Sequence, residues 1–244
     1  LLAAVSHRLA STAVDSFAPD GVREEIEAGM HRKDSEHLWS YGNGTMSSEQ
    51  LAELKQVLVS RKAAFAYSLN ELPGYTGPPA EFTLVPNARA YTKQRQYSPA
   101  ETEIGDAKVK ELTDAGFAIE RDTRTDFASA PTMPGKKDAD GNWTERRFCL
   151  DVRKANSVTV PDKYHVPLPE TIFRNMQGST WFTTIDTRAG FQQIPIHPGS
   201  QHVTAFWWRN KLYQATRMMF GFRNATAIFQ RIMDTELQRA GLTH

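Results

Sequence analysis

Hydrophobic and polar positions follow two periods along the chain. Leu51, Leu54 and Leu58 recur at helical spacing behind Ser47-Ser48-Glu49-Gln50, which has the form of a capping box, and predict a helix ending near Ala66. Leu72-Pro73-Gly74-Tyr75-Thr76-Gly77-Pro78-Pro79 excludes a helix or a central strand and reads as a linker. A better-marked helix follows: Ser98 is a natural N-cap, Pro99 sits at the first helical position, Glu101 completes a capping box, and Gly116 follows the last turn. The period then falls to two. Residues 128–137 and 143–152 predict a hairpin turning through Asp138-Ala139-Asp140-Gly141. Its second strand places Arg147, Cys149, Asp151 and Arg153 on one face and Phe148, Leu150 and Val152 on the other.

Leu168, Ile172 and Met176, four apart and stopped by Gly178, predict a short helix over 168–178. Residues 181–185 form a β-rich run ending at Asp186, and 191–197 is another strand candidate, closed by Pro198-Gly199. Residues 203–208 and 212–218 predict a second hairpin around Arg209-Asn210-Lys211. A final helix spans 224–240, with Ile228, Ile232 and Thr235 inward and Gly241 behind it. Residues 1–46 are weakly patterned, with a break at Gly42-Asn43-Gly44. Strands and helices mix without regular βαβ alternation, so the class is α+β.

Composition narrows the functional classes. With 244 residues, 40% hydrophobic and 23% charged, the chain lacks the signature of disorder. No uncharged apolar run approaches the roughly 18 residues of a membrane span, and the opening apolar stretch reaches His7 and Arg8 too soon for a secretory core. The single Cys149 excludes an internal disulfide framework and a Cys-rich zinc site. These features lead us to expect an intracellular protein, cytoplasmic or nuclear, with no membrane partner. With a first residue other than Met, we expect the chain to be a piece of something longer. The Asn-x-Thr triplets at Asn43, Asn142 and Asn224 are chance matches in such a chain, and His31 and His37 have no metal spacing.

Near-neutrality, 29 Lys+Arg against 28 Asp+Glu, conceals an uneven distribution. From Thr187 to Met233 the 47 residues contain no acid, where average spacing predicts about five. They contain six cations (Arg188, Arg209, Lys211, Arg217, Arg223, Arg231) and eight aromatics. That mixture suits a surface for phosphates and bases, or a plain core edged with arginines. Asp186, at the end of an apolar strand, is placed for a metal ligand or for a turn or helix cap. Lys136 and Lys137 at a hairpin turn are either solvated or able to reach a polyphosphate, and Arg147, Asp151 and Arg153 form either a cleft face or a surface ion-pair ladder. There is no P-loop, dinucleotide fingerprint or nucleophile elbow.

Three linked blocks resemble a known family. The run from Arg147 to Asn156 with Tyr164-His165-Val166-Pro167-Leu168-Pro169 resembles the fingers segment of gypsy-type LTR-retrotransposon reverse transcriptases. Phe182-Thr183-Thr184-Ile185-Asp186-Thr187-Arg188-Ala189-Gly190-Phe191-Gln192-Gln193-Ile194 resembles the family's motif A. Met218-Met219-Phe220-Gly221-Phe222-Arg223-Asn224-Ala225-Thr226-Ala227-Ile228-Phe229-Gln230 is similar to its next motif, with Met219 and Thr226 where proline is usual. Order and spacing match across roughly residues 82–244.

The resemblance implies a partial right-hand polymerase, fingers and upper palm, with a helical N-terminal extension. In its terms 1–81 is that extension and linker, 82–164 fingers, 165–196 palm with motif A, 197–218 a fingers hairpin and 219–244 an incomplete palm helix. It implies RNA-directed DNA polymerisation on a template-primer with deoxynucleotide triphosphates and two Mg²⁺ ions. Asp186 matches the catalytic metal-binding aspartate and the Thr187 carbonyl a backbone ligand. Phe191 matches the steric gate against a ribose 2′-hydroxyl. Arg147 and Lys136 or Lys137 match the residues gripping the triphosphate, and Phe220 and Gly221 would line the nucleotide pocket. The other two catalytic carboxylates belong to a Tyr/Phe-x-Asp-Asp motif absent from these residues, so this chain alone is expected not to polymerise. The alternative is a catalytically dead remnant retained as a structural or interaction subunit of a larger assembly.

Overall fold

A computed structural model describes residues 47–61, 64, 66, 69–122, 124–137, 143–178 and 187–241. The chain forms two compact units, residues 1–71 with 179–188 and residues 72–178 with 189–244. The regular elements of the first, among described residues, are α1 (Ser48–Ser60) and a 3-10 turn over Leu69–Glu71 that buries Leu69. Its capping box is reciprocal: Gln50 N–H donates to Ser47 Oγ (3.3 Å) and Ser47 N–H to Gln50 Oε1 (2.9 Å). The α-helix ends at Ser60 rather than near Ala66. The Ser60 hydroxyl donates to the Val57 carbonyl (2.8 Å), and Ala64 N–H bonds the Arg61 carbonyl (2.8 Å), so the chain tightens into three-residue turns.

The second unit contains, in order, β1 (Ala90–Tyr91), α2 (Pro99–Asp114), β2 (Ala118–Arg121), β3 (Phe127–Ala128), β4 (Ala130–Thr132), β5 (Gly135–Lys137), β6 (Trp143–Arg146), β7 (Cys149–Asp151), α3 (Arg153–Val158), α4 (Pro169–Asn175), β8 (Phe206–Trp208), β9 (Lys211–Ala215) and α5 (Ala225–Arg239). The mixture is α+β. α2 begins as its sequence predicts, with Glu101 N–H on Ser98 Oγ (3.3 Å), Ser98 N–H on Glu101 Oε2 (3.0 Å) and Pro99 leading. It buries Val109 and Leu112, with Gly105 also inward. α5 buries Ile228 and Ile232 and stops before Gly241, which stands at φ +73°.

The first predicted hairpin is present as two short antiparallel ladders, β4 with β7 and β5 with β6; its turn, 138–142, lies outside the described residues. Between the ladders Arg147 N–H donates to the Pro134 carbonyl (2.9 Å). Leu150 and Val152 are buried and Phe148 meets Phe206 and Trp208, so one face is core as the alternation requires. Arg153, expected to continue the polar strand face, instead opens α3.

The second hairpin joins β8 and β9, and β2 adds to β9, giving the antiparallel order β2-β9-β8. Arg209 and Asn210 both take positive φ (44° and 62°), the sign pattern of a two-residue hairpin turn. β8 starts later than 203 because Pro198–Thr204 is a 3-10 helix, led by Pro198 and capped where His197 Nδ1 accepts the Gly199 N–H (3.2 Å). The buried Thr204 hydroxyl locks that helix to β9, accepting Ala215 N–H (2.8 Å) and donating to the Gln201 carbonyl (2.7 Å).

Residues 191–197 are not the expected strand. Ala189 turns the chain at φ +48°, Gly190–Gln193 closes a 3-10 turn, and only isolated pairings follow, Pro195 with Arg217 and Ile196 with Ala80. The Pro/Gly-rich stretch 72–79 is irregular, yet it is a strap fixed to that segment. Tyr75 N–H donates to the Gln193 carbonyl (2.7 Å) and Ala80 N–H to the Pro195 carbonyl (2.8 Å), and Leu72 is buried. α4 buries none of its residues; Leu168 (61%) and Phe173 (70%) are widely exposed, so the apolar row that predicted the helix lies on the surface of its unit. The β-rich run 181–185 lies outside the described residues. Among those described, no helix is long and apolar enough to cross a membrane.

Candidate functional site

Three aromatic rings converge where the Gly190–Gln193 turn meets the loop before α5. Phe191 stands edge-on to Phe220 (centroids 5.4 Å, 63°) and to Phe229 on α5 (5.8 Å, 86°). Phe229 reaches that point because Asn224 fixes the start of α5: its Oδ1 accepts the Asp162 N–H (3.0 Å) and its Nδ2 donates to the Val160 carbonyl (2.8 Å). Behind Phe191, Gln192 is buried with its amide against Met219 Sδ (3.8 Å). The Phe220 ring is 54% exposed, an apolar face open to a ligand rather than a core side chain.

Gly221 turns this loop at φ +94°, where a side chain is strained, and a Cβ there would stand 3.2 Å from Val152 Cγ2. The loop thus lies against the chain leaving β7, the strand two residues beyond Arg147. Asn156 on α3 clamps it, donating Nδ2 to the Gly221 carbonyl (2.8 Å) and accepting the Arg223 N–H on Oδ1 (2.8 Å). Asn156 and Gln192 stand within the quoted sequence blocks. Amide side chains match no catalytic pattern, and only their buried or bridging positions distinguish them.

The polar face of the β7 strand is split by its partners. Arg147 is exposed, and Cys149 is half-buried, its thiol pKa pushed up by burial and partly offset by Arg147. Asp151 is shielded: Arg153 donates Nε (2.8 Å) and Nη2 (2.7 Å) to its two oxygens and Arg95 adds Nη2 at 2.8 Å. The Arg153 hydrogen bonds hold the carboxyl at about 2 against an ordinary 3.8. Because the folded value is the lower one, the stabilisation is whole above the ordinary value and is lost as pH falls through it toward the folded value. Chemical denaturation between about pH 4 and pH 2 should therefore show wild type losing about 1 kcal/mol more than Asp151→Asn, a figure discounted for the exposed guanidinium of Arg153. Equal losses in the two proteins would refute the assignment.

The remaining candidates are placed less fully. The backbone of Lys136 and Lys137 lies in β5, and nothing of their side chains falls within the description. Thr187 is half-buried in the first unit, and Asp186 lies outside the described residues. Among those described, no three His, Cys, Asp or Glu side chains cluster as a metal site. So the structure brings Phe191 to Phe220, next to Gly221, and Gly221 rests against Val152, just beyond the strand that begins two residues after Arg147.

The acid-free interval changes meaning once folded. Arg209 pairs with Asp106, Lys211 with Glu120 (2.8 Å) and Arg231 with Asp162 (2.8 Å), so acids from elsewhere oppose cations that lack neighbours in sequence. Phe206, Trp208, Tyr213 and Phe222 are buried. About half of the interval is buried, and three of its six cations sit in ion pairs on its rim.

Residues 135–242 match the family model of reverse transcriptase (RNA-dependent DNA polymerase). The chain is 32% identical over 188 residues to the retrovirus-related Pol polyprotein from transposon gypsy of Drosophila melanogaster, covering 76% of this chain and 18% of that protein. It is 35% identical over 154 residues to the corresponding polyprotein of transposon 297 from the same organism, covering 62% of this chain and 14% of the relative. The chain therefore spans less than a fifth of the length of either. Among solved structures it is similar to a foamy viral protease-reverse transcriptase in complex with RNA/DNA hybrid (TM-score 0.68, 19% identity, 96% of this chain and 29% of that one). It is also similar to the prototype foamy virus protease-reverse transcriptase (TM-score 0.67, 20% identity, 93% and 28%). At such identities the likeness bears on the fold alone.

Proposed function

We propose, from the premise that residues 135–242 form part of a reverse transcriptase domain of the gypsy retrotransposon type, that the chain supplies the nucleotide-facing half of an RNA-directed DNA polymerase. The observation that carries the reading is the corner of Phe191, Phe220 and Gly221, an apolar ring and an exposed ring beside a glycine that admits close approach. In this reading residues 82–164 and 197–218 are fingers, and 165–196 and 219–244 palm. Arg147, with Lys136 or Lys137, binds the triphosphate; a guanidinium suits that task because its planar donors match phosphate oxygens. Phe191 occupies the volume that a 2′-hydroxyl would require. Template and primer are RNA or DNA strands.

Asp186 and the Thr187 carbonyl offer hard oxygen donors, the chemistry Mg²⁺ prefers when substrate phosphates complete its shell. Bound there, the ion would lower the energy of charge developing on the transferring phosphoryl group.

The test is sugar selection by the protein expressed from its complete reading frame, including any sequence beyond His244. Phe191→Val should raise ribonucleotide incorporation relative to deoxynucleotide by about 10²-fold, since a site that excludes a group by shape loses a few kcal/mol of discrimination when the wall is removed. An unchanged kcat/KM ratio would remove Phe191 from the pocket.

A further inference from the structure

Arg217 is a half-buried arginine whose pKa burial alone pushes down, with no carboxylate beside it among the described residues to offset the shift. A cation so placed is costly unless its donors are used. Here Nη1 donates to the Gln193 carbonyl (3.2 Å) and the guanidinium lies over the Phe117 ring at 5.4 Å. The same carbonyl accepts the Tyr75 N–H at 2.7 Å, so one oxygen is held from two directions, by a side chain and by the strap.

Gly74 explains how the strap comes so close. It stands at φ +77°, and a Cβ there would fall 2.1 Å from Arg217 Nη1 and 2.7 Å from Cζ. The guanidinium occupies the place that any other residue at 74 would fill. Gln193 ends the turn that begins at Gly190, and that turn is closed by Ile194 N–H on the Phe191 carbonyl (2.9 Å). Beyond it, Met218 N–H on the Ile194 carbonyl (2.9 Å) and Ile196 N–H on the Thr216 carbonyl (2.8 Å) tie both sides of Arg217 to the same segment.

We infer that Arg217, wedged between the 72–80 strap and the Gly190–Gln193 turn, is a positioning residue that fixes where the Phe191 ring stands and thereby sets sugar selection. It touches no substrate; it acts through the Gln193 carbonyl. The inference rests on the reading of Phe191 given above. A ring displaced by about 1 Å is enough to change a barrier substantially, because discrimination by shape depends on sub-ångström contact.

Three measurements separate the brace from the gate. In the chain without substrate, Arg217→Met should speed amide exchange at Tyr75 and Ile194 about fivefold, the effect of one net hydrogen bond, and move the fluorine resonance of a fluorophenylalanine placed at position 191. Gly74→Ala should do the same. Its effect should shrink in the Arg217→Met background, where the obstructed guanidinium is gone; that non-additivity survives even if either single variant is less stable. In the protein from the complete reading frame, Arg217→Met should lower the deoxy-over-ribo kcat/KM ratio about tenfold, less than Phe191→Val does. Unchanged exchange and resonance overturn the brace. Altered exchange with unaltered selectivity, while Phe191→Val relaxes it, also overturns the inference and leaves the gate standing. If Phe191→Val itself changes nothing, the gate reading fails and the selectivity role of Arg217 fails with it.

Discussion

Asp186→Asn is expected to abolish primer extension by the protein expressed from its complete reading frame, a fall of about three orders of magnitude or more. The substitution nearly keeps size, removes one negative charge and turns one acceptor oxygen into an amide donor. An interaction supplying several kcal/mol of charge stabilisation in the transition state is worth about tenfold per 1.4 kcal/mol, which sets the scale. Packing cannot imitate the result, since Asn is nearly isosteric, and an unchanged thermal transition would confirm that the fold survived. The loss should fall on kcat more than on KM, because an interaction made chiefly in the transition state lowers turnover rather than affinity. Extension persisting at a tenth of wild type or above would show that Asp186 caps a turn and holds nothing. The same assay decides the remnant reading: a wild-type protein inert from its complete frame would favour a retained structural subunit.

Elements whose signals are local were legible in the sequence. Ser98, Pro99 and Glu101 delimit α2 because capping chemistry acts over three residues, and Arg209-Asn210 turns a hairpin as its spacing requires. Elements decided by distant partners were not. The run 191–197 has β-rich composition, but its Gln193 carbonyl is claimed by both Tyr75 and Arg217, one of them more than a hundred residues away in sequence. The strap 72–80 reads as a linker because proline and glycine say only that it is irregular; what fixes it is hydrogen bonding to Gln193 and Pro195.

Charge shows the same limit. A sequence window counts neighbours along the chain, whereas Asp106 meets Arg209 across 103 residues and Glu120 meets Lys211 across 91. An interval without acids is therefore no measure of local potential. The quoted motifs were better guides, because their spacing already encodes which side chains share a corner: Phe191 and Phe220, 29 residues apart, do meet.

The largest effect on stability should come from Trp208→Ala. The indole is 3% exposed, lies 4.9 Å from the Tyr97 ring and 6.1 Å from Phe148, and donates Nε1 to Asp106 Oδ1 at 2.9 Å. Truncating a buried aromatic of this kind costs about 3–5 kcal/mol, and the vacated space leaves Asp106 short of a donor. Gly105 shows whether the ring really abuts α2. A Cβ at Gly105 would come 2.1 Å from the indole, so Gly105→Ala sets a helix-propensity gain of about 1 kcal/mol against an overpacking cost of about 1–3 kcal/mol. The ring is rigid and enclosed, so overpacking wins and Gly105→Ala destabilises the wild-type protein. In the Trp208→Ala background the methyl meets no ring, the propensity term stands alone, and the same substitution should stabilise. Chemical denaturation of the four proteins measures both signs. Stabilisation by Gly105→Ala in both backgrounds would mean that the indole does not rest on the helix, and that the close approach of α2 to the β8–β9 hairpin has another cause.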